Sequence, residues 1–170
     1  PSGRSGLMVV SDEALEKYLD ESAWTWELQA FVRARSIAGD QKLRDRLDDL
    51  RRAILMKKRD AEVLKCDVVS MRNKMRLHVT SDASDNLFGL KHDPGGIVDI
   101  EFMVQYAVLA YAEKYPELTV YTDNIRQLDT LAEVGCIDEA DAGVLKAAYI
   151  TYRALQHEAI LSGQADSVDP

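Results

Sequence analysis

Apolar residues recur at intervals of three and four through most of this chain. The clearest stripes run through Leu43, Leu47, Leu50 and Ile54, and then through Leu64, Val68, Met71 and Met75. Charged and polar residues fill the positions between them, so each segment has one apolar face and one polar face. Both segments are therefore predicted to be amphipathic helices that pack on a core.

Two more helices are predicted before these stripes. Ser11 is followed by two acidic residues, which is typical of a helix N-terminus because the hydroxyl caps a free N–H and the acids face the dipole. Residues 21–37 then repeat apolar positions at spacings of four and three. Trp24 and Trp26 lie close together in this segment, which indicates substantial burial.

The second half of the chain contains the most apolar helix. From Ile97 the pattern is apolar almost all round, as expected of a helix buried on most faces. Pro116 is predicted to stop it. The later helix boundaries are predicted at Thr122 or Asp123, at Gly135, at Asp138 and near Gly163. A short helix and a long final helix follow from these signals.

The predicted fold is all-α, an antiparallel bundle of about six helices with short connections. A short strand is expected at Leu7 to Val10, and no second convincing strand follows it. That strand is therefore expected to belong to a sheet upstream of this chain. The predicted organisation is a trailing loop and strand over 1–10, a helical bundle over 11–163 and a frayed tail over 164–170.

Composition narrows the classes of function. The chain has 170 residues and 46% hydrophobic content, enough for one well-buried core. Its net charge of -8 argues against nonspecific nucleic-acid binding, because an acidic surface is repelled by phosphate backbones. No apolar run is long enough for a membrane span, and no signal peptide is recognisable. Cys66 and Cys136 lack metal-ligand spacing, so reduced thiols in a cytoplasmic protein are expected.

The segment from Lys91 to Phe102 carries the most distinctive chemistry. Pro94 and the pair Gly95-Gly96 predict a tight loop that opens into a helix. The first turn of a helix has unpaired N–H donors and a positive dipole end, which together with Lys91 suit a phosphate or a carboxylate. A purely structural turn explains the same pattern.

Asp99 and Glu101 lie in the first turns of that helix, where stabilisation of the dipole alone would favour acids. Side chains two residues apart on a helix diverge by about 200°, so the two acids are not an obvious metal pair. The chain also lacks a nucleophile with a paired base, zinc spacing, a P-loop and a dinucleotide fingerprint. The residues alone therefore indicate no complete active site.

Four stretches are more specific than these patterns. They are PSGRSGL at 1–7, AWTWE at 23–27 with VRAR at 32–35, LKHDPGGIVDIEF at 90–102 with VQY at 104–106, and DNIR at 123–126. With these motifs the chain resembles the glutamine synthetase adenylyltransferases, enzymes that add and remove AMP on a tyrosine of glutamine synthetase. The AWTWE and VDIEF forms resemble the C-terminal, adenylylating half of the family.

The resemblance implies a helical domain that follows a nucleotidyltransferase fold, whose metal-binding aspartates lie upstream of this chain. No catalytic or metal-ligating residue is then expected here, and the segment alone is expected to be inactive. Mg²⁺ and ATP are implied for the intact enzyme, neither bound tightly by this segment. The implied partners are glutamine synthetase and a PII-type nitrogen regulator. Gly89 stands where many members carry an aspartate, which puts any role of that acid in doubt.

Two hypotheses assign roles to the charged residues. In the first, the domain completes the adenylyltransferase, and Asp99 and Glu101 hold its cations or orient the loop. Its phosphate-proximal residues would be Lys91, Gly95, Gly96, Arg33 and Arg35. In the second, the domain is a non-catalytic docking or regulatory module. It would bind glutamine synthetase or the regulator through the stripe Lys65, Arg72 and Arg76, which is otherwise a solvated face.

Overall fold

The computed structural model describes residues 9–78, 87–163 and 167–168. Its helices are α1 (Asp12–Glu21), α2 (Thr25–Val32), α3 (Gln41–Leu55), α4 (Ala61–His78), α5 (Ile97–Tyr111), α6 (Asn124–Glu133) and α7 (Glu139–Ser162). A 3-10 helix at Pro116–Thr119 lies between α5 and α6. Strands β1 (Phe88–Gly89) and β2 (Ser167–Val168) pair antiparallel. The predicted all-α class is confirmed, with seven α-helices in the described ranges.

Side chains that cap the first N–H groups fix several helix starts. The Ser11 hydroxyl accepts a hydrogen bond from the Ala14 N–H at 3.2 Å and begins α1. Asp123 accepts one from the Arg126 N–H at 3.0 Å and begins α6. Each cap satisfies a donor that has no partner inside the helix. The predicted cap at Ser11 is confirmed, and of the two residues predicted for the start of α6, Thr122 and Asp123, the cap is Asp123.

Helix α5 lies at the centre of the bundle and packs against α2, α4, α6 and α7. Val104, Val108 and Leu109 on α5 are fully buried, as are Leu128 and Leu131 on α6. Burial of each such side chain contributes about 1.5–3 kcal/mol. The prediction of a helix buried on most faces is confirmed. The four helices that pack against α5 are positioned by it.

A smaller cluster joins the first three helices. Leu19 of α1 packs with Leu50 and Ile54 of α3, and Phe31 of α2 lies against them. This contact uses the apolar stripe predicted for α3. The first residue of that stripe, Leu43, is exposed.

Helix α2 is shorter than the predicted 21–37. It ends at Val32, where the Arg51 Nη2 donates to the Val32 carbonyl at 2.5 Å. The predicted burial of the tryptophans is wrong. Trp24 is 67% exposed, because it is the N-cap residue of α2 and lies outside the helix. Trp26, in the first turn of α2, is 40% exposed.

Three further boundaries differ from the sequence pattern. Helix α5 ends at Tyr111, before Pro116, which instead opens the 3-10 helix at a position where no proline N–H is needed. Val9 and Val10 form no strand, and Leu7 and Met8 lie outside the described residues. In the tail expected to fray, Ser167–Val168 pairs with Phe88–Gly89.

Candidate functional site at the start of the central helix

The loop before α5 closes onto the first turn of that helix. The Ile97 N–H donates to the Leu90 carbonyl at 2.9 Å, and the Val98 N–H donates to the Lys91 carbonyl at 3.1 Å. The Gly96 N–H donates to the Asp93 carbonyl at 2.9 Å. The first N–H donors of α5, which the sequence marked as candidates for a phosphate, are thus occupied by carbonyls of the chain itself.

The glycine pair is required by this closure. A Cβ on Gly96 would stand 2.7 Å from the Leu90 carbonyl oxygen and 3.0 Å from that of Asp93. Both obstacles are backbone atoms, so neither can move aside as a flexible side chain would. Gly95 has a φ of 86°, in the left-handed region that glycine adopts without strain. Backbone geometry alone therefore explains why both positions are occupied by glycine.

Asp99 is the centre of a cluster that ties α4 to the loop. Its Oδ1 accepts from Arg72 Nε at 2.5 Å, and its Oδ2 accepts from Arg76 Nη2 and from the Gly95 N–H, both at 2.7 Å. The Arg72 Nη2 also donates to the His92 carbonyl at 2.7 Å. Burial opposes ionisation of Asp99, but the Gly95 N–H and the two arginines outweigh it and lower its pKa.

Glu101 is the centre of a second cluster, on another side of α5. Its Oε1 accepts from Arg33 Nη1 at 2.5 Å and from the Tyr149 hydroxyl at 2.9 Å. Burial and the neighbouring charge of Glu101 raise the pKa of Tyr149, so the phenol stays protonated as a donor. This cluster joins α5 to the end of α2 and to α7, and it makes no contact with the loop among the hydrogen bonds of the described residues.

The predicted phosphate-proximal residues are not all brought together. Lys91 is exposed on the loop and forms no ion pair with any residue the structure describes. Arg33 is held by Glu101, with 39% of its side chain exposed. Arg35 lies elsewhere, beside Leu15 and Asp48 where α1, α2 and α3 meet. Within the described ranges, Lys91 is therefore a cation of the loop that no carboxylate neutralises.

The predicted docking stripe is not one exposed face. Arg72 is only 6% exposed, because its guanidinium is drawn inward to Asp99 and His92. Arg76 is partly buried against Asp99, and Lys65 alone of the three is exposed. The three residues instead line a groove of about 360 Å³ between α4 and α5.

A metal site would need free oxygen or nitrogen ligands. Within 9–78, 87–163 and 167–168, no three His, Cys, Asp or Glu side chains are grouped so as to hold an ion. Asp99 and Glu101 are each engaged by arginine. For the same ranges, every helix is too short or too polar to cross a bilayer.

Sequence reasoning missed two buried polar contacts around the site. Arg51 is buried and donates to the carbonyls of Val32, Thr119 and Tyr121. Its spacing of four from Leu47 puts it in phase with the apolar stripe, which was a usable signal. Tyr149 lies on the long final helix, and nothing in its own segment identified Glu101 as its partner.

Comparison with known proteins matches nearly the whole chain. It is 48% identical over 164 residues to the bifunctional glutamine synthetase adenylyltransferase/adenylyl-removing enzyme of Idiomarina loihiensis, covering 96% of this chain and 17% of that protein. The enzyme of the same name from Acinetobacter baylyi is 45% identical over 172 residues, covering 99% of this chain and 19% of that protein. The chain belongs to the glutamine synthetase adenylyltransferase family. The predicted family is confirmed.

Two family models match different parts of the chain. Residues 1–50 match the model described as glutamate-ammonia ligase adenylyltransferase, and residues 86–163 match the model described as GlnD PII-uridylyltransferase. The second match contains the loop, α5, Glu101 and Tyr149, but not Arg33. The chain spans less than a fifth of the length of the curated relatives it matches.

Proposed function

We propose that this chain is the helical domain of the adenylylating half of an enzyme that transfers AMP from ATP to a tyrosine of glutamine synthetase. The observation that carries the proposal is the position of Lys91. It is an exposed cation on a loop that the Asp99 cluster and the backbone of α5 hold in place. A fixed ammonium group suits the stabilisation of phosphate charge. The names of the relatives support the same activity.

The residues of the chain fit the two expected cofactors unequally. Mg²⁺ requires oxygen ligands, and the carboxylates of Asp99 and Glu101 are engaged by arginine, so neither fits as a magnesium ligand. ATP would supply the AMP group and its phosphates, and Lys91 fits those phosphates. Gly95 and Gly96 do not fit as N–H donors, because both N–H groups are bonded within the chain.

Within this proposal Asp99 is a positioning residue. It accepts the Gly95 N–H and holds Arg72, whose guanidinium in turn binds the His92 carbonyl next to Lys91. Arg33 contributes a second, partly exposed cation at the end of α2. In this proposal the chain positions positive charge and binds no metal ion itself.

A chimera tests the proposal in a complete enzyme. This chain replaces the matching segment of the Idiomarina loihiensis enzyme, and incorporation of labelled AMP into glutamine synthetase is measured. Lys91→Ala should lower kcat/KM by at least about tenfold, because it removes a charge that interacts with phosphate in the transition state. Lys42→Ala, an exposed lysine on α3, is the matched control and should leave the rate unchanged.

Two outcomes contradict the proposal. An inactive unmodified chimera would argue that this chain is not the equivalent domain of such an enzyme. An unchanged rate in Lys91→Ala would remove Lys91 from the site. The 170-residue chain alone is expected to bind ATP weakly and to transfer no AMP. Tight ATP binding by the chain alone would mean that most of the nucleotide site, and not only Lys91, lies within it.

A second candidate function is docking or regulation through the helical domain. Residues 86–163 match a model named for PII-uridylyltransferase, which carries out a different nucleotidyl transfer. This match favours a helical segment that serves enzymes with different protein substrates. A PII-type regulator or glutamine synthetase would be the partner. Lys65→Glu should then lower the affinity for the partner and make that affinity less dependent on salt concentration. Unchanged affinity in this variant would leave Lys65 as solvated surface.

A further inference from the structure

The groove between α4 and α5 has the size and lining of a small-molecule pocket. Its volume is about 360 Å³, within the range of ligand sites in proteins. Its walls are mainly apolar, formed by Val68 and Val69 of α4 and by Phe102, Met103 and Tyr106 of α5. A protein interface of standard size needs more than about 1,000 Å² of buried surface, which a groove of this size does not supply.

One end of the groove is positively charged. Among the described residues, Arg72 and Arg76 pair there with a single carboxylate, that of Asp99, so one positive charge is uncompensated within this set. Arg72 Nη1 and Arg76 Nε are buried and have no hydrogen-bond partner among the residues described. A buried guanidinium N–H without a partner favours an acceptor. In a chain of net charge -8, this end of the groove stands out.

The other end does not favour an anion. Lys65 lies there, eleven residues before Arg76 and therefore about 16 Å away along α4. Burial, Tyr111 and the charge of Glu62 raise the pKa of Tyr106. Glu62 lies three residues before Lys65 on α4, so its negative charge offsets that of Lys65, and the groove is polarised along its length.

We propose that this groove binds a small molecule that joins an apolar body to a single carboxylate. The carboxylate lies at the Arg72 and Arg76 end, and the apolar body packs against Phe102 and Met103. One uncompensated positive charge matches one carboxylate, whereas a nucleoside triphosphate would bring several negative charges into mainly apolar walls. The site is separate from Lys91 and does not depend on the proposed transfer reaction.

Three ligands that share one apolar body test the charge preference. 4-Phenylbutyrate, 4-phenylbutyramide and 4-phenylbutylamine are titrated into the 170-residue chain with ¹³C-labelled methionine methyl groups. The Met103 methyl resonance, assigned with Met103→Leu, reports occupancy because Met103 lines the groove. The carboxylate should bind at least fivefold more tightly than the amide, and the amine most weakly. Equal dissociation constants for the three, or no shift of Met103 at 10 mM, the top of the titration, overturn the proposal.

A pair of matched variants locates the binding. Val69 lines the groove and is 51% exposed, whereas Val63 is 61% exposed on the same helix and does not line it. Val69→Glu should weaken 4-phenylbutyrate at least fivefold and strengthen 4-phenylbutylamine, and Val63→Glu should change neither. Both positions are exposed, so both variants are expected to fold, which circular dichroism checks. Equal effects of the two variants would place any binding outside the groove.

Discussion

Asp99 and Glu101 lie two residues apart on α5, and each carboxylate binds different partners. Asp99 accepts three donors, from Arg72, Arg76 and the backbone of Gly95. Glu101 accepts two, from Arg33 and Tyr149. Both carboxylates are partly buried, so the difference lies in their partners. Arg72 is buried, while more than a third of the Arg33 side chain is exposed.

The burial of the arginine partner decides how much each ion pair contributes to stability. A buried guanidinium that loses its carboxylate keeps a desolvated charge, whereas an exposed one regains water. Asp99 also fixes the loop that carries Lys91, through the Gly95 N–H. Glu101 joins three helices without touching that loop. The Asp99 cluster is therefore expected to control both stability and the candidate site, and the Glu101 cluster mainly the packing of α2 and α7.

Asp99→Asn tests this difference most strongly. The amide keeps the shape of the carboxylate but turns one acceptor into a donor, which then faces either Arg72 or the donors of Arg76 and Gly95. Buried Arg72 loses its counter-charge, so the free energy of unfolding should fall by about 3–5 kcal/mol. Urea denaturation of the 170-residue chain measures this fall.

Asp129→Asn is the matched control for that measurement. Asp129 is a mid-helix aspartate on α6 that pairs with Lys146, and both side chains keep substantial exposure. Its loss should lower the free energy of unfolding by less than about 1 kcal/mol. If Asp99→Asn and Asp129→Asn lost the same amount, the buried Arg72 would not be the cause.

Glu101→Gln tests the other side of the comparison with a smaller expected effect. The glutamine carbonyl still accepts one hydrogen bond, and Arg33 is exposed enough to regain water. The free energy of unfolding should fall by about 1 kcal/mol, measured by urea denaturation. In the chimeric enzyme, Asp99→Asn should lower AMP transfer more than Glu101→Gln does. The reverse order would place Arg33, and not the loop, at the site.

The sequence predicted the features that depend on local pattern. The all-round burial of α5 and the caps at Ser11 and Asp123 follow from residues within one or two turns of each other. The divergence of Asp99 and Glu101 follows from helical spacing alone. These predictions needed no knowledge of what each helix packs against.

The features that the sequence did not predict depend on distant partners. Arg72 reads as part of a solvated basic stripe, and it is buried only because Asp99, 27 residues later, comes to lie beside it. Arg51 likewise finds carbonyls on two other segments of the chain. Trp24 was expected to be buried because two tryptophans lie close together in the sequence, but its position as an N-cap residue exposes it. Periodicity carries no information on such pairings.

The smallest expected effect is the pH dependence of the stability that Asp99 contributes. Because the folded-state pKa of Asp99 lies below its unfolded value of about 3.9, ionised Asp99 stabilises the fold above pH 4, and this contribution is lost as the pH falls through the folded-state value. The stability gap between the natural chain and Asp99→Asn should therefore narrow below pH 4. Other carboxyl groups with lowered pKa, such as Asp123, are present in both proteins and cancel in the difference. A gap that stayed constant from pH 7 to about pH 2 would mean that lost packing or neutral hydrogen bonds, and not the charge on Asp99, account for the destabilisation.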